Sequence, residues 1–159
     1  MDFWQIEFYI IVLSFLLIFN VIKHFYFRRK HKLLILELQE TEYQISKNAE
    51  VALFFSTEWN ARSYSIPADL IFIKNNIFIL QKHFLSKQIC GPIMLVANDI
   101  FNFRSENVSK VFFYKEAYLT NNYMRIQSSK ESIYKTNIVV EIRLKDNLAL
   151  ENYDLSPKY

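Results

Sequence analysis

The sequence opens on an apolar stretch, residues 3–22, which reads FWQIEFYIIVLSFLLIFNVI. At about 1.5 Å per residue, a helix of this length is roughly 30 Å long, which matches the hydrocarbon core of a bilayer. Residues 3–22 are therefore predicted to form a transmembrane helix. The alternatives are a cleaved signal peptide and a buried helix of a soluble domain. A signal peptide places positive charge before its apolar run and small residues after it, whereas only Asp2 and Glu7 are charged here and no small residues follow Ile22.

Five cationic residues follow the apolar stretch, and we call them the basic collar: Lys23, Arg28, Arg29, Lys30 and Lys32. No basic side chain precedes the stretch, so the positive-inside rule predicts an outside N-terminus and a cytoplasmic C-terminal domain at the cell membrane. The collar residues are the predicted site residues at the membrane surface. They are expected either to set the membrane topology or to bind anionic lipid headgroups, in which case each cation contributes about 1 kcal/mol to membrane binding.

The distribution of charge limits the possible partners. The chain has 19 basic and 16 acidic residues, and five of the basic and two of the acidic ones lie at or before Lys32. The remaining 14 basic and 14 acidic residues cancel, so the whole formal excess of +3 lies next to the predicted membrane segment. A nucleic-acid-binding surface needs a basic patch on the folded domain. No nucleic-acid partner is expected.

Residues 23–48 are predicted to form a basic juxtamembrane segment and an amphipathic helix. Leu34, Leu38, Thr41 and Ile45 are spaced by four, three and four, which places them on one helical face. No Gly or Pro separates this segment from the anchor, so one helix is expected to extend from the membrane into the cytoplasm. Its apolar face is expected either to pack on the following domain or to pair with a second copy.

Residues 49–146 carry the pattern of a small antiparallel β sandwich or barrel, so the fold class is mainly β behind one N-terminal helix. Two hairpins are expected, with tight turns at Asn75-Asn76 and Asn121-Asn122, because Asn tolerates positive φ. Gly91-Pro92 is expected to form a turn before the next strand. Strands are expected at 51–57, 68–74, 77–82, 93–97, 111–114, 116–120, 123–127 and 138–145.

The last of these strands alternates most clearly. Its inward residues are expected to be Val140, Ile142 and Leu144, and its outward residues Glu141, Arg143 and Lys145. Residues 147–159 are expected to form a tail or a short helix.

The order of strands resembles that of bacterial PH and GRAM-type domains. The resemblance is carried by Ile66-Pro67-Ala68-Asp69-Leu70-Ile71-Phe72-Ile73, by the hairpin to Asn76-Ile77-Phe78-Ile79, and by Ile93-Met94-Leu95-Val96-Ala97-Asn98-Asp99-Ile100. It covers about residues 50–145 and contains no invariant motif, and little room remains for the C-terminal helix that commonly closes such domains. It implies a partly open antiparallel barrel that binds phosphoinositides, peptides or proteins. No binding residue is carried over.

The residues that usually build catalytic or metal sites are scarce. The chain has three histidines, His24, His31 and His83, with one cysteine, Cys90, and one glycine, Gly91. Zinc therefore lacks a ligand set, phosphate-cradling glycine loops are excluded, and no intrachain disulfide can form. Asp99, Glu106 and Arg104 form either a small polar site or solvated loop charges. We expect no enzyme, no cofactor and no metal.

Two functions remain after these exclusions. The first is a membrane-anchored interaction module that binds a protein partner or is a small subunit of a membrane complex. Its binding patch would use aromatic residues that the core does not need, from the set Phe54, Phe55, Trp59, Phe72, Phe112, Phe113 and Tyr114. The alternative is a lipid-binding, PH-like domain at the anionic membrane surface. It requires cations that converge at one end of the domain, for which the candidates are Lys82, Lys87, Arg104 and Lys110.

Overall fold

The computed structural model describes residues 3–56, 61–73, 76–83, 89–97, 105–120, 123–128 and 137–144. This part of the chain forms one long helix and a seven-stranded barrel. The elements are α1 (Phe3–Glu37), β1 (Gln44–Ser56), β2 (Ala61–Ile73), β3 (Asn76–Lys82), β4 (Cys90–Ala97), β5 (Lys110–Thr120), β6 (Tyr123–Ser128) and β7 (Asn137–Arg143). The predicted fold class, a helix followed by a small β barrel, is therefore confirmed. The predicted tail at 147–159 lies outside the described residues.

The barrel closes in chain order, since each strand pairs with the next and β7 returns to β1. All of these pairings are antiparallel except β4–β5, which is parallel and extends from Met94↔Lys110 to Ala97↔Phe113. Strands β4 and β5 therefore run in the same direction, and both begin toward the same end of the barrel. We call this end the near rim, and it lies where β4 begins at Cys90.

The barrel interior holds the main core. Alternate residues of each strand point inward, as the two-residue period of a strand requires. In β7, Val140 and Ile142 are buried and Leu144 follows them inward, while Arg143 is exposed. The predicted alternation is thus confirmed for the described residues, and Lys145 lies outside them. The fully or nearly buried interior also includes Val51, Leu53, Leu70, Phe72, Ile77, Ile79, Met94, Val96, Met124 and Ile126.

Parts of three adjacent strands are buried on both faces, namely Leu70–Ile73 of β2, Ile77–Leu80 of β3 and Ile93–Ala97 of β4. Their outward residues form a second apolar cluster with the end of α1, and its buried members are Leu34, Leu38, Ile71, Ile73, Phe78, Leu80, Ile93, Leu95 and Ala97. This explains why the strands read as unbroken apolar runs rather than as alternating ones. The helix covers the outer face of the barrel along these three strands.

Helix α1 ends earlier than the amphipathic pattern predicted. It stops at Glu37, a turn follows, and β1 begins at Gln44, ahead of the predicted domain boundary at residue 49. Leu38 is buried as expected, but Ile45 is exposed in a strand. The physical reason is pairing between strands. Residues 44–46 bond to 70–72 of β2, and this tertiary contact outweighs a local helical preference.

Three details of the strands also differ from the sequence prediction. Asn76 pairs with Ile73 and is the first residue of β3, so it does not belong to the turn predicted at Asn75-Asn76. Gly91-Pro92 belongs to β4 and does not form a turn. A Cβ atom at Gly91 would lie 3.2 Å from Cβ of Gln81, so the close approach of β3 favours glycine. The two strands expected at 111–114 and 116–120 are one strand, β5, which changes partner from β4 to β6.

Candidate functional site

The most distinctive site is the contact between α1 and the barrel, which we call the helix–barrel seam. It comprises residues 24–37 of α1, Leu38 directly after the helix, and the outer face of β2–β4. From Trp4 to Lys23 every helix residue is exposed, whereas Leu34 and Leu38 are fully buried. One helix thus has an apolar part that the barrel does not touch and a second part that belongs to the folded domain. Of the two predicted roles for the Leu34–Leu38 face, packing on the domain is confirmed.

Two histidines of α1 bond to the start of β4. The backbone N–H of Cys90 donates to Nδ1 of His24 at 3.1 Å, and Nε2 of His31 donates to the carbonyl of Gly91 at 2.8 Å. Both bonds require a particular tautomer, because an accepting nitrogen has to be unprotonated and a donating one protonated. The two histidines are two helical turns apart. The seam therefore fixes the rotation of the helix as well as its contact with the sheet.

Burial affects the chemistry of two seam groups. Desolvation lowers the pKa of His31, against the opposing effects of its bond to Gly91 and the charge of Asp69, so the docked imidazole is neutral at pH 7. Burial also raises the pKa of the Cys90 thiol, so it stays protonated and is a poor nucleophile. Both groups are thus uncharged, which suits their burial between the helix and the sheet.

The segment that precedes β5 also forms hydrogen bonds with α1 at the seam. Glu37 at the end of α1 accepts hydrogen bonds from Oγ of Ser105 and Nδ2 of Asn107, both at 2.6 Å. Lys30 donates to the carbonyl of Glu106 at 3.2 Å, and its ammonium lies 5.2 Å from the centre of the Tyr26 ring. Glu106 thus contributes its backbone here. Asp99 and Arg104, the other members of the predicted small polar site, lie outside the described part of the chain.

A second polar cluster lies on the outer face of β1–β3. Nζ of Lys82 contacts Oδ1 of Asp69 at 2.6 Å and Oδ1 of Asn48 at 3.1 Å. The same Asp69 oxygen accepts the backbone N–H of Asn48 at 2.9 Å, and Asn48 has a φ of 56° at an irregularity in the β1–β2 pairing. Because Lys82 is engaged in this cluster, it is not a free cation for lipid. Lys110 is exposed at the start of β5, while Lys87 and Arg104 lie outside the described residues.

The structure places the five collar residues on the part of α1 that follows the apolar stretch. Lys23, Arg28, Arg29 and Lys32 are exposed, and none of them forms an ion pair or hydrogen bond with another described residue. Lys30 is different, because it is half-buried and bonds to Glu106. Four of the predicted site residues are therefore available to an external ligand, and Lys30 takes part in docking the helix.

The aromatic residues proposed as a patch are mostly used inside the protein. Phe72 and Tyr114 are core residues, and Phe113 packs at the seam. Phe55 contacts the rings of Tyr64, stacked at 5.7 Å, and Phe112, tilted at 6.2 Å. Phe54 is exposed, and Trp59 lies outside the described residues. The described members thus form no continuous exposed surface.

Sequence reasoning missed the role of His24 and His31, which it considered only as candidates for a catalytic or metal site. A signal was nevertheless present. The residues at 24, 27, 31, 34 and 38 are spaced by three and four, which continues the Leu34–Leu38 face back to the apolar stretch. Within the described residues, no group of three or more His, Cys, Asp or Glu side chains is arranged to hold a metal ion.

Comparisons with protein-family models, with curated proteins and with solved structures give no match for this chain. The resemblance to PH and GRAM-type domains therefore stays a prediction.

Proposed function

We propose that this chain is a single-pass membrane protein whose barrel is an interaction module at the cytoplasmic face, binding a protein partner or serving as a small subunit of a membrane complex. The observation that carries the proposal is the continuity of α1. The helix is long and apolar enough to span a membrane, and its last part is built into the folded domain. The barrel would therefore have a fixed orientation relative to the bilayer.

The near rim is the part of the barrel closest to the membrane in this arrangement. His24, which bonds to Cys90 on that rim, follows Ile22 by two residues, or about 3 Å along the helix axis. The rim is thus expected beside the lipid headgroups, with the opposite end turned toward the cytoplasm. An exposed collar of Lys23, Arg28, Arg29 and Lys32 supports the N-outside orientation.

A non-enzymatic role fits the way the polar side chains are used. His24 and His31 bond to backbone atoms of β4, and Lys30 and Glu37 bond to residues 105–107 in the segment before β5. These contacts hold two elements together. Such a rigid mount suits a protein that presents a surface at a fixed height above the bilayer.

A lipid-binding function is the second candidate, and the exposed collar favours it. Its four free cations lie within ten residues of the apolar part, where each is worth about 1 kcal/mol next to an anionic leaflet. A PH-like domain would use such charges together with the near rim. The two candidates differ in whether the main ligand is a protein or the membrane itself.

Purification of the full-length protein from native membranes in mild detergent, with co-purified proteins and lipids identified, tests both candidates. A matched variant changes Lys23, Arg28, Arg29 and Lys32 to Gln. A stoichiometric protein that is retained by the Gln variant supports the interaction module. Recovery of the chain alone, with anionic lipid that disappears in the variant, refutes the interaction module and favours the lipid-binding function.

A further inference from the structure

The face of α1 that points away from the barrel carries apolar residues well beyond the membrane segment. We call it the outer stripe and define it as Phe25, Arg29, Lys32, Leu33 and Leu36. Phe25, Leu33 and Leu36 are 60%, 39% and 55% exposed, and both cations are exposed between them. Spacings of three and four place these residues on one helical face.

Lipid cannot cover the whole outer stripe. Leu36 follows Ile22 by 14 residues, which is about 21 Å along a helix axis. The headgroup layer beyond the hydrocarbon core is only about 5–8 Å deep on each side. Phe25 is therefore within reach of the interface, while Leu33 and Leu36 lie beyond it. Because α1 is continuous and fixed to the barrel, this part cannot turn to lie along the membrane.

The barrel does not cover the stripe either, since the residues it buries lie on the opposite face. Leu34 and Leu38 are fully buried at the seam, whereas Leu33 and Leu36 on the other side are exposed. Leu33 and Leu36, which lie three residues apart, continue the exposed apolar surface of α1 beyond the headgroup layer, and an exposed apolar patch rimmed by charged residues marks an interaction site. An occupant that runs alongside α1 would cover them.

The charges in the stripe indicate which occupant fits. In a second copy of this chain, anchored in the same orientation, the two helices would be parallel. Arg29 would then face Arg29 and Lys32 would face Lys32, and such like charges oppose pairing. A helix of a partner protein with an apolar face flanked by Asp or Glu would cover the leucines and form ion pairs with the cations.

We propose that the outer stripe binds an acidic amphipathic helix of a partner protein, laid along α1 just above the membrane. This inference rests on the proposed function and specifies the partner surface. Apolar contact with Phe25, Leu33 and Leu36 supplies the buried area, and Arg29 and Lys32 select for acidic flanks. Selectivity for negative charge is therefore the property that distinguishes this site from a general hydrophobic surface.

The test uses full-length protein in nanodiscs of zwitterionic lipid and two synthetic three-heptad helical peptides. Both peptides have Leu at the core positions; one has Glu at the flanking positions and the other has Lys. Binding is measured by fluorescence anisotropy of the labelled peptides. The Glu peptide is expected to bind at least tenfold more tightly than the Lys peptide, and the preference should weaken at high salt.

Two variants locate the binding. In Leu33→Ser/Leu36→Ser the Glu peptide should bind at least tenfold more weakly. In Arg29→Glu/Lys32→Glu the preference should invert, so that the Lys peptide binds more tightly, a gain that damage to the fold could not produce. The matched control is Val111→Ser/Tyr118→Ser, which removes large exposed residues of β5 and should change neither affinity.

Several results would overturn the proposal. These are equal binding of the two peptides, no binding of either, binding that the Leu33→Ser/Leu36→Ser variant retains, or a dimer of the chain in the nanodisc that occupies the stripe. Failure here is separable from failure of the proposed function. If a stoichiometric partner from native membranes is retained by Leu33→Ser/Leu36→Ser, the interaction module stands and this surface is wrong. If no protein partner is recovered, the interaction module itself fails.

Discussion

Replacing Leu38, the first residue after helix α1, by alanine tests whether packing at the end of the helix is part of the folded core. Leu38 is 0% exposed and belongs to a cluster of nine buried residues that lies between the helix and the outer face of β2–β4. Truncating a fully buried leucine costs about 2–5 kcal/mol, because apolar contact is lost and a cavity remains. A loss of about 3 kcal/mol is expected, since the helix has limited freedom to close the gap while its histidines hold it on β4.

The assay is thermal unfolding of the full-length protein in detergent micelles, followed by the β-sheet signal in far-UV circular dichroism. For a chain of this size, a 3 kcal/mol loss lowers Tm by about 6–12 °C. Leu36→Ala is the matched control, because Leu36 lies two residues before Leu38, in the last turn of α1, and is 55% exposed. Its effect on the free energy of unfolding should stay within about 0.5 kcal/mol.

Equal Tm values for Leu38→Ala and Leu36→Ala would refute this reasoning. They would mean that the barrel melts independently of the helix and that the seam adds nothing to its stability. A fragment that begins at Gln44 is a useful extension, because it removes Leu34 and Leu38 and leaves Ile71, Phe78 and Leu95 uncovered. It is expected to aggregate.

Three further changes test single groups. Burial lowers the pKa of His31 below its usual value of about 6.5, so at lower pH the unfolded chain binds a proton that the docked imidazole does not. The free energy of unfolding should therefore fall as the pH drops below about 6.5. His31→Gln should flatten this dependence in guanidinium titrations. Asn48 has a φ of 56° and bonds to Lys82, so Asn48→Ala should lower the free energy of unfolding by about 1–2 kcal/mol in the same titrations. Asn48→Gly should recover the part of this loss that comes from the positive φ, because glycine adopts it without strain. The buried hydroxyl of Ser46 has no hydrogen-bond partner among the described residues, so Ser46→Ala should leave Tm unchanged or raise it; a clear loss would indicate a partner.

Some of this architecture was visible in the sequence. The length of the apolar stretch predicted the exposed part of α1, and the alternation around Val140 and Ile142 predicted the faces of β7. Both features depend on local periodicity, which the sequence displays directly.

Other features depend on contacts between distant residues. The helix was expected to continue through Ile45 because Leu38 and Ile45 fit one helical face, but pairing with β2 draws Ile45 into β1. The parallel β4–β5 pairing has no local signature. In the candidate site, the cations of the collar were evident from composition, whereas His24 and His31 were missed because their partners are backbone atoms of β4.

The unbroken apolar runs of β2–β4 held more information than the prediction used. In Leu70–Ile73 and Ile77–Leu80 every residue is buried, which requires a cover on both faces of the sheet. The only described helix, α1, supplies the outer cover. A sheet whose strands do not alternate therefore predicts a second layer, and in this chain that layer is the end of the long helix.

The central claim is that α1 and the barrel move as one rigid body, and a distance measurement tests it most directly. Spin labels at Leu17→Cys in the apolar part of α1 and at Lys47→Cys on β1 both occupy exposed positions, and Cys90→Ser removes the native thiol. Pulsed electron paramagnetic resonance of the full-length protein in lipid nanodiscs should give one narrow distance distribution, which broadens when Leu34→Ser/Leu38→Ser is added. A broad distribution without those two changes would contradict the account, because the barrel would then be tethered to the helix rather than docked on it.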